Sequence, residues 1–495
     1  MKARTRFAAF VLALGAVGAA ALLSAQIAPP QQPPSSKAVV IKGKAPVSSQ
    51  VLQVKLPRPQ EADLPNGLHL MVLEDHRAPQ ISFQLVITGA GGYFDPADHA
   101  GLAMFTAAQM REGTATRTSE QISEQLERMA ASVNVGASLA GDPATLSGGC
   151  LSEHIDAVLA LAADILMNPT FPDKEWERYR TQMRAQLIQQ RSQPSFLASE
   201  LFNRVLFGSH PAGRVSPAVS TLDKTTRDAL TGFHKAHYAP DYAVMAIAGD
   251  ITMADARRKV EAAFGAWKKA GTPKPAVADP SPLKAPSVSL VARPGSVQSN
   301  LLVGTLAINR TSPDYYVLTV LNQVIGGGPT GRLFRHLREE KGYTYGAYSN
   351  LSAATYVGSW QANTEVRTEV TAAALNDLLD ELRQARDVVV PDQEFADAKR
   401  TIVASFALTL ENPAAILGNH ITRWRYGLPL DYWDQYPERI MAVTQAGVQA
   451  AARKYLDPAR IQVVAVGNGD ILGPAMQKLG TVEMYDTEGK KIGGK

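Results

Sequence analysis

Apolar and polar residues along this chain form a pattern that comes round twice. Gly67-Leu-His-Leu-Met-Val-Leu-Glu74 and Gln80-Ile-Ser-Phe-Gln-Leu-Val-Ile-Thr88 alternate or run apolar, as paired strands do. Val288-Ser-Leu-Val-Ala292 and Ser299-Asn-Leu-Leu-Val-Gly-Thr-Leu306 repeat that pattern further on. Helical stretches follow the first pair at 119–131, 154–167 and 173–191. Thr118 is the expected N-cap of the first, with Gln121 as its capping-box partner. Two further runs, Tyr238 to Ile251 and Tyr455 to Ile471, each read as an apolar strand closed by a Gly/Asp turn that starts a helix. Strands followed by helices, twice over, predict an α+β fold of two homologous sheet-plus-helices domains.

Residues 269–287 carry five prolines and no hydrophobic period, which marks a linker between the two repeats. The expected order is a signal peptide over 1–25, a disordered spacer over 26–50 and a first domain over 51–268. The linker, a second domain over 288–480 and a tail over 481–495 follow.

Composition adds a compartment. Lys2, Arg4 and Arg6 precede an apolar stretch from Phe7 to Leu23, and Leu23-Ser-Ala-Gln26 offers a small-residue cleavage site. An exported, periplasmic protein is expected. The apolar run is about 17 residues and diluted by Ala and Gly, at the lower edge of a spanning helix, so a cleaved leader is expected over a stable membrane anchor. Formal net charge is +4, and three of the positive charges sit on that leader, so no nucleic-acid partner is indicated. Cys150 is the only cysteine, which rules out an intramolecular disulfide; its apolar, Gly-flanked setting predicts a buried structural thiol.

The candidate chemistry lies in two segments. The first is Gly101-Leu-Ala-Met-Phe-Thr-Ala-Ala-Gln-Met-Arg-Glu-Gly-Thr114. It resembles the zinc helix of the pitrilysin/insulinase-type (inverzincin) peptidases, whose form is G-L-A-H-x-x-E-H-M-x-x-x-G-T. Two His four apart share a helix face and can ligate one Zn²⁺, while the Glu serves as base for the bound water. Here Met104 and Ala108 stand at the His positions and Ala107 at the Glu position. The resemblance places a third ligand, a Glu, near Ala185 or Gln186, yet residues 178–187 contain no carboxylate. Gly208-Ser-His-Pro-Ala-Gly-Arg214 resembles the family's G-x-H-P-Y-G-R turn, and its His210 is expected to bond local backbone.

The second segment is Gly326-Gly-Gly-Pro-Thr-Gly-Arg-Leu-Phe-Arg-His-Leu-Arg-Glu-Glu-Lys-Gly-Tyr-Thr-Tyr345. Leu333 and Leu337 are its expected buried stripe, Gly342 its left-handed stop, and Arg335–Glu339 an i,i+4 pair. His336 is expected on the outer face. The segment resembles the family's G-G-G-x-x-S-R-L-x-x-x-L-R-E-x-x-G-L-x-Y, in which Arg338 and Tyr345 match an Arg/Tyr pair directed at the substrate.

The resemblance covers nearly the whole mature chain and implies a clamshell of two homologous halves. It also implies a split active site. This chain binds no zinc and supplies Arg338 and Tyr345, while a homologous H-x-x-E-H partner subunit carries the Zn and cleaves peptides or unfolded segments. The alternative is a non-catalytic peptide-binding or scaffold protein of the same fold. A third reading draws unconventional zinc ligands from His76, Asp98, His99 and Glu112. In the family an extended substrate pairs with an edge strand of the first domain. The matching hairpin, 131–139 and 144–150, holds Gly136 and Gly148, which either preserve a groove or mark twisting.

Overall fold

The computed structural model describes residues 53–494; the signal peptide and the spacer expected over 1–50 lie outside them. The first repeat begins with β1 (Gln60–Asp63), β2 (His69–Glu74) and β3 (Gln80–Thr88). Helices α1 (Leu102–Gln109) and α2 (Ser119–Arg128) lead to the hairpin β4 (Ser132–Ala137) and β5 (Pro143–Leu151). Thr118 and Gln121 form the reciprocal capping box expected for α2. Then come α3 (Ile155–Met167), α4 (Asp173–Gln190), α5 (Pro194–Phe207), α6 (Val219–Lys224) and α7 (Arg227–His237). β6 (Ala243–Gly249) and α8 (Met253–Phe264) close the repeat.

The second repeat follows the same plan. It runs through β7 (Ser287–Ala292), β8 (Gln298–Leu306), α9 (Tyr315–Ile325) and a π-helix (Phe334–Glu340). The hairpin β9 (Thr344–Leu351) and β10 (Ser359–Arg367) precedes α10 (Thr371–Asp387), α11 (Asp392–Thr409) and α12 (Pro413–Tyr426). α13 (Tyr436–Ala442), α14 (Gln445–Tyr455), β11 (Gln462–Gly467) and α15 (Gly469–Met476) complete it. Residues 481–494, read from sequence as a tail, instead form β12 (Val482–Tyr485) and β13 (Lys491–Gly494). Val482 and Met484 alternate with polar residues, and Asp486 to Gly489 supplies the turn.

Strand order is β1-β2-β6-β3-β5-β4 in the first sheet and β13-β12-β7-β11-β8-β10-β9 in the second. The run β2-β6-β3-β5-β4 is therefore repeated as β7-β11-β8-β10-β9, with β4 and β9 as matching edges. The two α+β halves are as the sequence indicates.

Their packing adds an exchange. Side chains alternate between the faces of a strand, so each sheet has two apolar faces to cover. Leu70, Val72, Leu85 and Ile247 lie under the first half's own helices. Met71, Val86, Val244 and Ala246 point the other way and share a core with Leu417 and Ile421 of α12, a helix of the second half. The second sheet reciprocates. Its Val291, Leu302 and Val464 seat Leu201, Phe202 and Leu206 of α5, a helix of the first half. Gly304 lies in that seat with no room for a side chain, since an added Cβ would stand 2.9 Å from the Phe202 ring and 2.3 Å from the Trp360 carbonyl oxygen.

Polar contacts fix both exchanged helices. On α12, Arg423 pairs with Glu61, and His420 Nε2 donates to the Pro57 carbonyl at 3.0 Å. Trp424 stacks on the His69 ring at 5.9 Å between centroids. At α5, Arg191 donates to Glu200 and to the Thr487 carbonyl, and Arg204 to the Gly489 carbonyl, so the last hairpin is held by the first half. Residues 269–286 carry no helix or strand and are pinned to both halves. His210 Nε2 donates to the Ala278 carbonyl at 2.8 Å, and the Val277 N–H donates to the Tyr356 hydroxyl at 2.8 Å.

Candidate functional site

The frame of the 101–114 segment is explained by packing. Gly101 takes φ 111°, and an added Cβ there would stand 2.8 Å from Pro217. The Asp95 carboxylate accepts from the N–H groups of Gly101 at 2.6 Å and Ala103 at 2.7 Å, which satisfies the start of α1. Burial pushes the Asp95 carboxyl up to about 6, against the two N–H groups and Arg214, which act to lower it. Arg214, the last residue of the Gly208–Arg214 turn, lies 3.7 Å from Asp95 and donates to the Gly92 carbonyl at 2.6 Å. His210 in that turn accepts from the Ala212 N–H, so it bonds local backbone as expected. At the other end Gly113 abuts Pro172, and Thr114 donates to Asp164 at 2.6 Å.

Within that frame the residues do not fit zinc. Met104 and Ala108 share a half-buried face of α1, while Ala107 is fully buried. A thioether and two methyl groups offer none of the imidazole or carboxylate ligands zinc requires. Ala185 and Gln186 sit exposed on α4 and add no carboxylate. The unconventional set is dispersed too. His76 bonds Asp250, His99 bonds Asp98, and Glu112 accepts from Arg178 and Ser119. Among the described residues no group of three or more His, Cys, Asp or Glu is placed to hold a metal.

Arg338 and Tyr345 do come together. Leu333 and Leu337 are buried, and Gly342 at φ 62° turns the chain into β9. The helix itself is π-wound over Phe334–Glu340, which the four-residue spacing of Leu333 and Leu337 does not reveal. Two expectations on this helix are corrected. Arg335 pairs with Glu394 of α11 in place of Glu339, and Arg332 joins it with two hydrogen bonds of 2.8 and 2.9 Å to the same carboxylate. His336 faces α10, bonding Glu381 at 2.9 Å. Arg338 is left with no carboxylate partner among the described residues. Its guanidinium carbon lies 5.8 Å from the Tyr345 ring centroid and 5.7 Å from that of Phe334, and the Tyr345 side chain is 91% exposed.

The pair lines a groove of about 810 Å³ on the face of the second sheet. α5 lies across β7, β11 and β8, so the face of β8 and β10 beyond it stays open. Ser195 and Ser199 of α5 form one wall, and Arg338, Tyr345 and Tyr348 form the other. Residues from both halves thus build the site. Met104, Ala107 and Ala108 belong to the helix layer of the first sheet and do not line this groove.

In the first sheet, β4 is the edge strand of the expected hairpin. The two glycines there differ. Gly148 is a packing residue, since an added Cβ would stand 2.4 Å from the Phe83 ring, whereas Gly136 faces open space. Cys150 is buried, and burial pushes its thiol up to about 11, consistent with a structural role.

Two family profiles match the chain. The one described as Insulinase (Peptidase family M16) covers residues 70–215, and the one described as Peptidase M16 inactive domain covers 224–402. An uncharacterized zinc protease of Streptomyces coelicolor is 26% identical over 70% of this chain and 76% of its own length. A Helicobacter pylori protein named non-peptidase homolog YmxG is 24% identical over 72% of this chain and 82% of its own. Among solved structures, a peptidase M16 inactive domain from Pseudomonas fluorescens superposes with a TM-score of 0.77 at 28% identity, covering 83% of this chain and 97% of that one.

Proposed function

The chain belongs to the M16 (insulinase) peptidase family, and on that premise we propose that it is the non-zinc subunit of a periplasmic heteromeric metallopeptidase. The observation that supports this reading is an asymmetry. The positions of α1 that would hold and serve a metal carry Met104, Ala107 and Ala108, while Arg338 and Tyr345 stand side by side in an open groove with their polar ends unpaired among the described residues.

Zinc held by a homologous H-x-x-E-H partner would supply the Lewis acid and the activated water. The residues of this chain orient the substrate. The guanidinium of Arg338 offers several N–H donors in a fixed plane, and the Tyr345 hydroxyl adds another. Both suit a peptide carbonyl oxygen that gains negative charge during attack. The guanidinium lies 5.8 Å from the Tyr345 ring centroid, so the two groups hold each other in one place.

Native mass and zinc content of the complex purified from its own periplasm test the reading. A partner of near-equal mass with about one zinc per pair is expected. Replacing Arg338 by Ala should then lower peptide turnover by roughly 10²-fold with assembly retained. Unchanged turnover would remove Arg338 from the mechanism. The name of the Helicobacter pylori relative favours a second reading, a peptide-binding or scaffold protein with no catalysis in its complex. That reading predicts a metal-free assembly whose affinity for peptides is indifferent to a zinc chelator.

A further inference from the structure

The floor of the Arg338/Tyr345 groove carries polar groups that this pair does not use. In the antiparallel register of β8 and β10, Asn300 stands opposite Glu365, Leu302 opposite Asn363, and Gly304 opposite Gln361. Asn300, Gln361 and Asn363 line the groove. Asn300 is only 7% exposed, yet its carboxamide has no hydrogen-bond partner among the described residues. The carboxamides of Gln361 and Asn363 and the hydroxyls of Ser195 and Ser199 are likewise unpaired among the described residues. Asn300 is the enclosed member, and a polar group so enclosed normally finds a partner, while Gln361 and Ser199 are half-buried and Asn363 and Ser195 exposed. Here the groups open together onto one groove.

Their chemistry and spacing select the ligand. A carboxamide offers both a donor and an acceptor, which matches the N–H and C=O of a peptide main chain. Gln361 and Asn363 are alternate residues of one strand, about 6.8 Å apart, and an extended peptide repeats its main-chain groups on one side with the same period.

Resting on the reading above, we propose that this floor holds an extended segment of unfolded polypeptide by its main chain. Asn300, Gln361 and Asn363 read N–H and C=O groups, and Ser195 and Ser199 close the wall opposite Arg338. Recognition of this kind accepts many side-chain sequences. It also makes the second sheet a peptide-holding surface in its own right, with one wall donated by the first half.

The test uses the full chain alone, without partner or zinc. Fluorescence anisotropy follows three fluorescein-labelled peptides long enough to cross the groove: one mixed sequence, its scramble, and the first peptide N-methylated at alternate amides. The scramble should bind like the parent, and the N-methylated peptide and the Q361A/N363A variant should each weaken binding about tenfold. N300L should act in the same direction. Equal binding of the N-methylated peptide, or by Q361A/N363A, would overturn the proposal. So would failure of any peptide to bind while a soluble chito-oligosaccharide does, which would make the floor a glycan site. The two readings fail separately. Floor-dependent peptide binding by a chain that has no zinc partner would sink the peptidase subunit and keep the floor. A zinc-bearing pair whose activity and peptide affinity ignore Q361A/N363A would do the reverse.

Discussion

At the scale of single residues, Ala107 separates a stripped active site from a rebuilt one. Met104 and Ala108 sit half-buried, so a larger polar side chain there could reach solvent, but Ala107 has no exposed surface. A Glu at 107 would place a carboxylate at a fully buried position. Ala107→Glu should therefore destabilise the fold by about 3 kcal/mol, the cost of an uncompensated buried charge. Met104→His should cost less than about 1 kcal/mol, because its face is partly solvated. Denaturant titration of both variants checks this, and equal small effects would mean that the interior around α1 still has room for the lost base. The sequence shows that the three chemical positions are changed; only the fold shows that one of them has been packed shut. Arg338 and Tyr345 were legible from their segment. The carboxamides of Asn300, Gln361 and Asn363 were not, because alternate polar residues on a strand read first as a solvated face.

Helices and strands were predicted from periods of two and 3.6, and those periods survive the comparison well. Strands β2, β3, β7 and β8, the capped α2 and the Gly/Asp turns after β6 and β11 stand where their patterns put them. The expected pairing is corrected: β6 lies between β2 and β3, and β11 between β7 and β8, because the returning apolar strand takes the central place in each sheet. The π-winding of the 334–340 helix and the β12–β13 hairpin did not emerge, the first because it depends on tertiary packing and the second because its strands are only four residues each. Helix α7 carries a pH dependence of its own. Burial lowers the pKa of His234 and His237 below the ordinary histidine value, against their hydrogen bonds to the Leu166 and Gly89 carbonyls, which act to raise it. Both are neutral in the fold and take up protons on unfolding, so their contribution is present above about pH 6.5 and is lost as pH falls below it. Replacing them by H234Q and H237N keeps a donor near each carbonyl and removes the titration. The fall in Tm between pH 7 and pH 5 should be shallower in the double variant, and an unchanged slope would place the acid sensitivity elsewhere.

For the whole molecule, the exchanged helices decide how it comes apart. A linker joining two self-sufficient domains would allow each half its own unfolding transition. Here each sheet has one face closed by the other half, so loss of either helix uncovers an apolar surface. Phe202 makes the point testable, since it belongs to the first half in sequence and to the second in packing. Phe202→Ala should cost about 3–5 kcal/mol and lower amide-exchange protection on β8 and β11 of the second half. Protection lost only in the first half would mean that the halves are independent. The repeat announced two similar domains, but periodicity names the apolar face of a helix and not the sheet that receives it.

A helix given by each of two like units, and received by each in the same seat, is the signature of a symmetric swapped pair, here written into one continuous chain. Like halves joined in this way do not need to carry the same surfaces. The interlock preserves the shape while the two halves differ in the residues they carry. The altered helix of the first half and the open groove of the second stand in one interlocked molecule, each sheet roofed on one face by a helix from the other half.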